Sequence, residues 1–587
     1  MSKYIFNALC AVVVGLIVLA FGFLLSQKGF YISTEKLVVW AFGATVAVWV
    51  MLMPKVFKKL CHVCNDYDWA DETVKFYQRI SPKYRQSFWL LFGFINLAFL
   101  FHTINFMWGG ADWAAIRSTV NHHEALSAGS FSAYWLQELL FDGKILPVIN
   151  NLWSFAGLAL AGVLLAVYWN MPERATVIVT VGLLFAVTPY TLAILYYAKT
   201  SLGVCFAPVL VLTGLLIADR KHKTASHTYL CNTMSVLLLL WALGTYMPVV
   251  SFMFLAVVGR IFIKTVYADI SFKDAFSRSL QGIVNILAAV MFYIFILFVL
   301  EEANYLDDVH ARALGMATPF LRLGAVIKYA FLQFGQPLPF MDVAYKLLYL
   351  ALSIMALFTL ILYAPNAKAS LRGLILIPVL LVVSLLALLF VTEPQAHFVR
   401  LTFFGLPFLY ALAFLSILLL GTKTLRRIAY GLAFLLIFMN FVRISYAEKV
   451  WKFGWDAETK LAERIITRLE KQPEFNIERQ YKLLQVGEKS LRSKYYKAQA
   501  DEAKNGELLS YAYYPAGKAK DAYNFFYQTD FLSGDAADEA LHEPVVADYL
   551  LNRAQAWPAK EAIFIYGDYI VLVLDEKALA DIQRKIP

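Results

Sequence analysis

The strongest constraint on this chain is a series of apolar blocks of about 17–25 residues, repeated between residues 8 and 446. A block of that length crosses a hydrocarbon core roughly 30 Å thick as one helix, with its backbone polar groups satisfied internally. The composition agrees: 60% of residues are hydrophobic and 16% charged, against about 25% charged in a soluble domain. The expected fold is therefore an all-α polytopic membrane protein of about thirteen transmembrane helices, followed by a C-terminal α/β domain outside the membrane.

The formal net charge is +10. In a soluble protein that would point to nucleic acid. Here the basic residues fall in alternate loops, which is how orientation is set across a bilayer, so no nucleic-acid partner is expected. The loop 54–86 carries Lys55, Lys58, Lys59, Lys75, Arg79, Lys83 and Arg85 and is assigned to the cytoplasm. From there the sides alternate. Residues 8–25 read as a signal anchor and 36–53 as a second span. The third span, 87–107, leads to an outer loop at 108–145, and a second large outer loop covers 301–340. The amino terminus is expected inside and the carboxyl tail outside, with a membrane domain at 1–446 and an outer domain at 447–587.

The tail is polar and has no block long enough to span. Leu461, Ile465, Ile466 and Leu469 share one helical face within 455–470. Tyr481–Val486 reads as a strand. Ala562–Tyr566 and Tyr569–Leu574 read as a hairpin closed by Gly567-Asp568. The five cysteines, Cys10, Cys61, Cys64, Cys205 and Cys231, avoid the tail, so no disulfide framework is implied. Cys61 and Cys64 have the spacing of half a zinc site, but no second pair follows, and they read as a reduced pair. There is no phosphate-binding loop and no glycine-rich dinucleotide fingerprint.

The segment from Trp108 to Pro147 concentrates the polar groups of the outer side. Asp112 follows Gly109 and Gly110 just past the third span. A carboxylate at that position reads as a general base, or as the N-cap of a segment starting at Trp113. Trp113 offers a flat apolar wall suited to the C–H face of a sugar. Arg117 could orient the carboxylate or bind phosphate. His122, His123 and Glu124 are metal-ligand types, but neighbouring histidines diverge on a helix, so they read as a polar turn. Glu138 is the second acidic candidate, in an amphipathic stretch from Phe131 to Phe141 expected to lie flat at the membrane surface. Tyr197 and Lys199, Arg322 and Lys328, and His397 and Arg400 are the other outer-side groups able to meet a substrate or a phosphate. Glu301, Glu302, Asp307 and Asp308 read as a solvated loop. No metal or other cofactor is called for.

Several of these segments, in this order, resemble the GtrII-type glucosyltransferases that decorate bacterial O-antigen. Asp112 stands where that family carries an acidic pair, with Ala111 in place of the first acid. Gly129-Ser130-Phe131 is similar to its Gly-Arg-Pro step, without the arginine. Thr188-Pro189-Tyr190 and Leu195-Tyr196-Tyr197 resemble its Ser-Pro-(Phe/Tyr) and Leu-Ser-Tyr segments. Leu243-Gly244-Thr245-Tyr246-Met247-Pro248 resembles its Leu-Gly-x-Tyr-Gln turn, with Met247 for the glutamine. Ala462-Glu463-Arg464-Ile465 resembles the start of its outer tail.

The resemblance implies a glycosyltransferase of the GT-C class in the bacterial inner membrane. It implies a polyprenyl-phosphate-linked sugar, glucose, as donor and a glycan or lipopolysaccharide such as O-antigen as acceptor on the periplasmic side. The roles that follow are Asp112 and Glu138 as catalytic carboxylates, and Trp113, Arg117, Tyr197, Lys199, Arg322, His397 and Arg400 in substrate binding. Two rivals share the sequence style. One is an O-antigen polymerase or a transferase acting on lipid A or pilin. The other is a lipid-linked sugar transporter or flippase, against which the lack of an internal repeat counts.

Overall fold

The computed structural model describes residues 80–105, 122–219, 225–302, 324, 343–390, 403–487, 523–524, 527, 529–532, 535–584 and 586. The chain forms two compact units, residues 1–85 with 221–231, and residues 86–220 with 232–587. The contacts described below lie in the second. The expected spans at 8–25 and 36–53, Cys61 and Cys64 lie outside the described residues.

In chain order the helices are α1 (Pro82–Ala98), α2 (Leu100–Ile104), α3 (His122–Ser127), α4 (Trp135–Phe141), α5 (Pro147–Tyr168), α6 (Ala175–Ala186), α7 (Pro189–Leu195) and α8 (Ala198–Ala218). They continue as α9 (Ala225–Thr245), α10 (Val249–Val266), α11 (Phe272–Glu302), α12 (Val343–Tyr363), α13 (Ala367–Ser384), α14 (Leu406–Leu420) and α15 (Lys423–Glu470). Local chemistry sets several starts. Proline occupies the first turn of α5, α7 and α14, where its missing N–H costs nothing. Asn366 caps α13 by accepting from the Ala369 N–H at 2.8 Å, and Thr422 caps α15 through the Leu425 N–H.

Among the described residues eight helices are long and apolar enough to cross a membrane, or nine if a bent pair counts as one span; α14 is a shorter apolar helix. The expected count of about thirteen is therefore not reached by what is described. Two expected spans are also not single rods. The third breaks at Phe99, between α1 and α2. The fifth is α6 plus α7, bent by 60° at Val187-Thr188, where Pro189 removes an N–H and forces the preceding residue into extended backbone.

The last helix of the bundle, α15, has 48 residues. Its Lys423–Lys449 part is apolar enough to span, and it continues unbroken for roughly 30 Å more at about 1.5 Å per residue. That extension meets a four-stranded sheet of order β2-β1-β4-β3, with β1 at Gln480–Val486, β2 at Asp530–Leu532, β3 at Ile563–Tyr566 and β4 at Tyr569–Val573. β1 runs parallel to both β2 and β4, while β3 and β4 form an antiparallel hairpin with Ile565 opposite Ile570. Gly567 provides the left-handed residue of its two-residue turn, at φ +56. Side chains alternate faces along each strand. Tyr481, Leu483, Ile570 and Leu572 pack with Leu461, Ile465, Ile466 and Leu469 of α15. Leu484, Val486, Val571 and Val573 pack with residues of α16 (Asp535–His542), α17 (Pro544–Asn552) and α18 (Glu576–Gln583). The helical face and the hairpin read from sequence are both present.

Candidate active site

One end of the bundle gathers the starts of α5, α8 and α12 and the end of α9. Residues 125–146 dock there through their backbone. Helix α3 stops at Gly129, which holds φ +68. The Gly129 N–H donates to Leu126 O at 2.8 Å and the Ser130 N–H to Ala125 O at 2.7 Å, the paired bonds of a Schellman stop. The Tyr293 hydroxyl of α11 donates to Gly129 O at 3.1 Å. The next residue, Phe131, lays its ring where any Cβ on Gly244 would stand. Ser132 then bonds α9 from both ends: its N–H reaches Gly244 O at 2.9 Å and its Oγ donates to Trp241 O at 2.8 Å. Ala133 O lies 2.6 Å from where a Cβ on Gly203 of α8 would be. Two motifs more than a hundred residues apart therefore meet, Gly129-Ser130-Phe131 and Leu243-Gly244-Thr245. Glycine is required at 203 and 244 because backbone and ring come too close for any side chain.

This corrects one expectation. The stretch Phe131–Phe141 does not simply lie flat at the surface. Its first residues are clamped between α8, α9 and α11, and only α4 presents an exposed face, with Leu139 at 72% and Leu140 at 39%. Glu138 sits on that exposed face. Its neighbour Gln137 is fully buried and donates to Lys199 O at 2.7 Å.

The junction between α7 and α8 is the second component. Asn150 of α5 donates to Ala198 O at 2.9 Å and to Ser201 Oγ at 3.0 Å. Asn151 beside it is fully buried, with no hydrogen bond to either side-chain polar atom among the described residues. Lys199, expected among the outer-loop groups able to meet a phosphate, is in the first turn of α8 and only 6% exposed. Tyr197 is half-buried and packs edge-on against Tyr196 at 5.6 Å.

The end of the spanning part of α15 closes the site. Trp451 is sandwiched between Tyr196, at 4.2 Å, and His102 of α2, at 5.5 Å. One turn before it, Glu448 is completely buried beside the His102 backbone. A search confined to outer loops misses both His102 and Glu448, since each sits inside a helix. The available signal was a carboxylate directly abutting an apolar span, in Tyr446-Ala447-Glu448-Lys449.

Asp112, Trp113, Arg117, Arg322, His397 and Arg400 lie outside the described residues, as do Asp307 and Asp308. Of the expected site residues, the described ones are Glu138, Tyr197 and Lys199. The structure brings the last two together at the α7–α8 junction, with α4 tied to them through Gln137.

The fold and this end together define a class: a helical membrane protein whose bent span and docked loop assemble polar groups at one end of an apolar bundle. Its family is also shown. The chain belongs to the glucosyl transferase GtrII family, whose model matches residues 112–440, more than half its length. The match opens at Asp112 and takes in each motif that meets at this end, as far as Leu243–Pro248. No curated relative and no solved structure matches the chain.

Proposed function

We propose that this protein is an inverting, GT-C-type glucosyltransferase that moves glucose from a polyprenyl-phosphate carrier to a periplasmic glycan such as O-antigen, at the outer face of the bacterial inner membrane. The observation that carries the reading is the family match from Asp112 to residue 440, combined with the convergence of its separated motifs on one end of the bundle.

In this reading the acceptor hydroxyl attacks the anomeric carbon from the side opposite the phosphate. Asp112 takes the hydroxyl proton as the new C–O bond forms. The bond from the anomeric carbon to the phosphate oxygen breaks, and polyprenyl phosphate leaves with the electron pair, so one displacement inverts the anomeric centre. Glu138 is the second carboxylate, on the exposed face of α4. Trp113 walls the sugar. Arg117, Lys199, Arg322, His397 and Arg400 supply positive charge for the departing phosphate, whose electrostatic stabilisation is a large part of the rate. Tyr197 helps shape the pocket floor. The chain orients with its amino terminus in the cytoplasm and residues 447–587 as a domain in the periplasm.

The test is Asp112→Asn, which keeps the shape and removes the base. Transfer from radiolabelled polyprenyl-phosphate glucose should fall about a hundredfold or more, the scale of a lost general base, with the thermal unfolding temperature unchanged. Near-normal turnover by the purified variant would remove Asp112 from the role. Labelling of lipid A or pilin in place of the glycan would replace the acceptor.

A further inference from the structure

Glu448 and Trp451 lie one turn apart on one face of α15, where its spanning part ends at Lys449. Side chains at that i, i+3 spacing are neighbours, with Cβ atoms about 5–6 Å apart. Glu448 is completely buried, and neither carboxylate oxygen has a side-chain partner among the described residues. The His102 backbone lies against it. Trp451 is fully buried and stacks on Tyr196 at 4.2 Å and on His102 at 5.5 Å. Both faces of the indole are therefore taken, and what it still offers is its Nε1–H. That group is buried too, with no hydrogen-bond partner among the described residues. His102 touches both residues and so joins them into one cluster.

An acceptor and a donor left unanswered in an apolar bundle each cost free energy. The two demands together select the ligand. An anion would be repelled by Glu448. A cation would answer the carboxylate and leave the indole N–H idle. A hydroxyl both donates and accepts, and neighbouring hydroxyls on one sugar ring answer both groups at once. Water shares that dual character, and the probes below separate the two. The cover over the pair is thin. Helix α2 has five residues, its one buried side chain is His102, and Leu100, Phe101 and Ile104 are exposed. Segments with so few buried contacts open at low cost.

We propose that the Glu448 carboxylate and the Trp451 indole N–H bind a pair of sugar hydroxyls, one donating to the carboxylate and the next accepting from the indole. The pair thereby discriminates among the sugars that reach this end of the bundle. This rests on the sugar-transfer reading above and adds to it a determinant of sugar choice. The pair lies past residue 440, where the match to the family model ends, so it is a feature of this chain outside the matched region.

The test measures binding to the full-length chain in detergent, with polyprenyl-phosphate glucose, bare polyprenyl phosphate and purified O-antigen as separate probes. Glu448→Gln keeps the shape and removes the charge. It should weaken binding of a sugar-bearing probe about tenfold or more, the scale of a lost charge-assisted hydrogen bond, and leave bare polyprenyl phosphate unchanged. Trp451→Phe keeps a ring for Tyr196 and His102 but lacks the N–H, and should weaken the same probe about fivefold. Loss confined to the glucosylated lipid assigns the hydroxyls to the donor, and loss confined to O-antigen assigns them to the acceptor. If Glu448→Gln fails to fold, Trp451→Phe, which leaves both ring contacts, carries the test. Wild-type affinity for both sugar probes in the folded variants overturns the site and leaves the pair to a buried water. Equal weakening of bare polyprenyl phosphate marks a general change of structure and overturns it too, as does a wild-type chain that binds neither sugar probe. A chain that binds sugar, loses it in the variants and transfers none would sink the transferase reading alone. A chain that transfers glucose, with donor and acceptor KM unchanged in the variants, would sink the hydroxyl site alone.

Discussion

The two ends of the helical bundle handle charge differently. At the end opposite the docked loop, arginines answer carboxylates of the protein itself. Arg260 of α10 pairs with Asp219 at the end of α8 and lies 4.5 Å over the Tyr168 ring. Arg372 of α13 meets Asp269 at 3.4 Å, and the same aspartate accepts from Asn366. The Trp169 indole donates to Ala256 O at 2.9 Å, tying α5 to α10. At the docked end the loop is held by neutral bonds between side chains and backbone, and Tyr349 donates to Asn440 Oδ1 inside the bundle. Internal ion pairs suit an end that only has to be held together.

Three experiments probe that contrast, beyond the one already named. The largest effect on stability is expected at the paired end. Arg260→Met strands a largely buried Asp219 carboxylate and should cost roughly 3–5 kcal/mol, the range for breaking a buried pair. Thermal unfolding in detergent should fall sharply while donor affinity per folded molecule stays the same. Adding Asp219→Leu should recover most of the loss. If Arg260→Met weakened donor binding and left unfolding untouched, the division of labour between the ends would collapse.

A smaller effect is expected at the docked end. Gly244→Leu drives a side chain into the Phe131 ring, and overpacking of that kind costs about 1–3 kcal/mol. The loop should lift from α9, and transfer should fall more than stability does. Phe131→Ala in the same chain makes room and should return activity. Unchanged transfer in Gly244→Leu would mean that loop docking is not needed for the site.

The smallest effect falls in the tail, which has neither kind of end and serves as the comparison's control. Burial, then the Glu561 carboxylate, pushes the Tyr549 hydroxyl up to about 12. Tyr527 is likewise pushed up to about 12, by burial and Glu463. A tyrosine in an unfolded chain ionises near 10. Each raised value therefore adds stability that is complete below about pH 10 and is lost as pH climbs towards 12. Tail unfolding followed by tyrosine absorbance should show this alkaline slope, and Tyr549→Phe should flatten it. A slope unchanged by that substitution would assign the titration to other groups.

Much of this was legible in the chain. Periodicity marks α15 and its face of Leu461, Ile465, Ile466 and Leu469, and the turn residues mark the β3–β4 hairpin, because both depend on neighbours in sequence. The family motifs are legible too, since residue types in order suffice. The site was legible only in part. A search of outer loops finds Tyr197 and Lys199, but nothing in Tyr196–Thr200 reveals that Gln137 and Asn150 bond the backbone of that junction. It passes over His102 and Glu448, which sit inside helices.

The sequence by itself determined that this chain crosses a membrane many times, that it carries the ordered motifs of the GtrII family, and that an α/β segment follows the last span. Hydrophobic length and local turn chemistry are properties of consecutive residues, so one dimension is enough for them. Only the tertiary structure decided that Phe131 fills the space a side chain at Gly244 would need, that Trp451 is pressed between His102 and Tyr196, and that the Ser132 hydroxyl bonds Trp241 O. Those contacts join residues from about a hundred to about three hundred and fifty positions apart. Which of them meet depends on how neighbouring helices cross and pack, and no local pattern in the sequence records that.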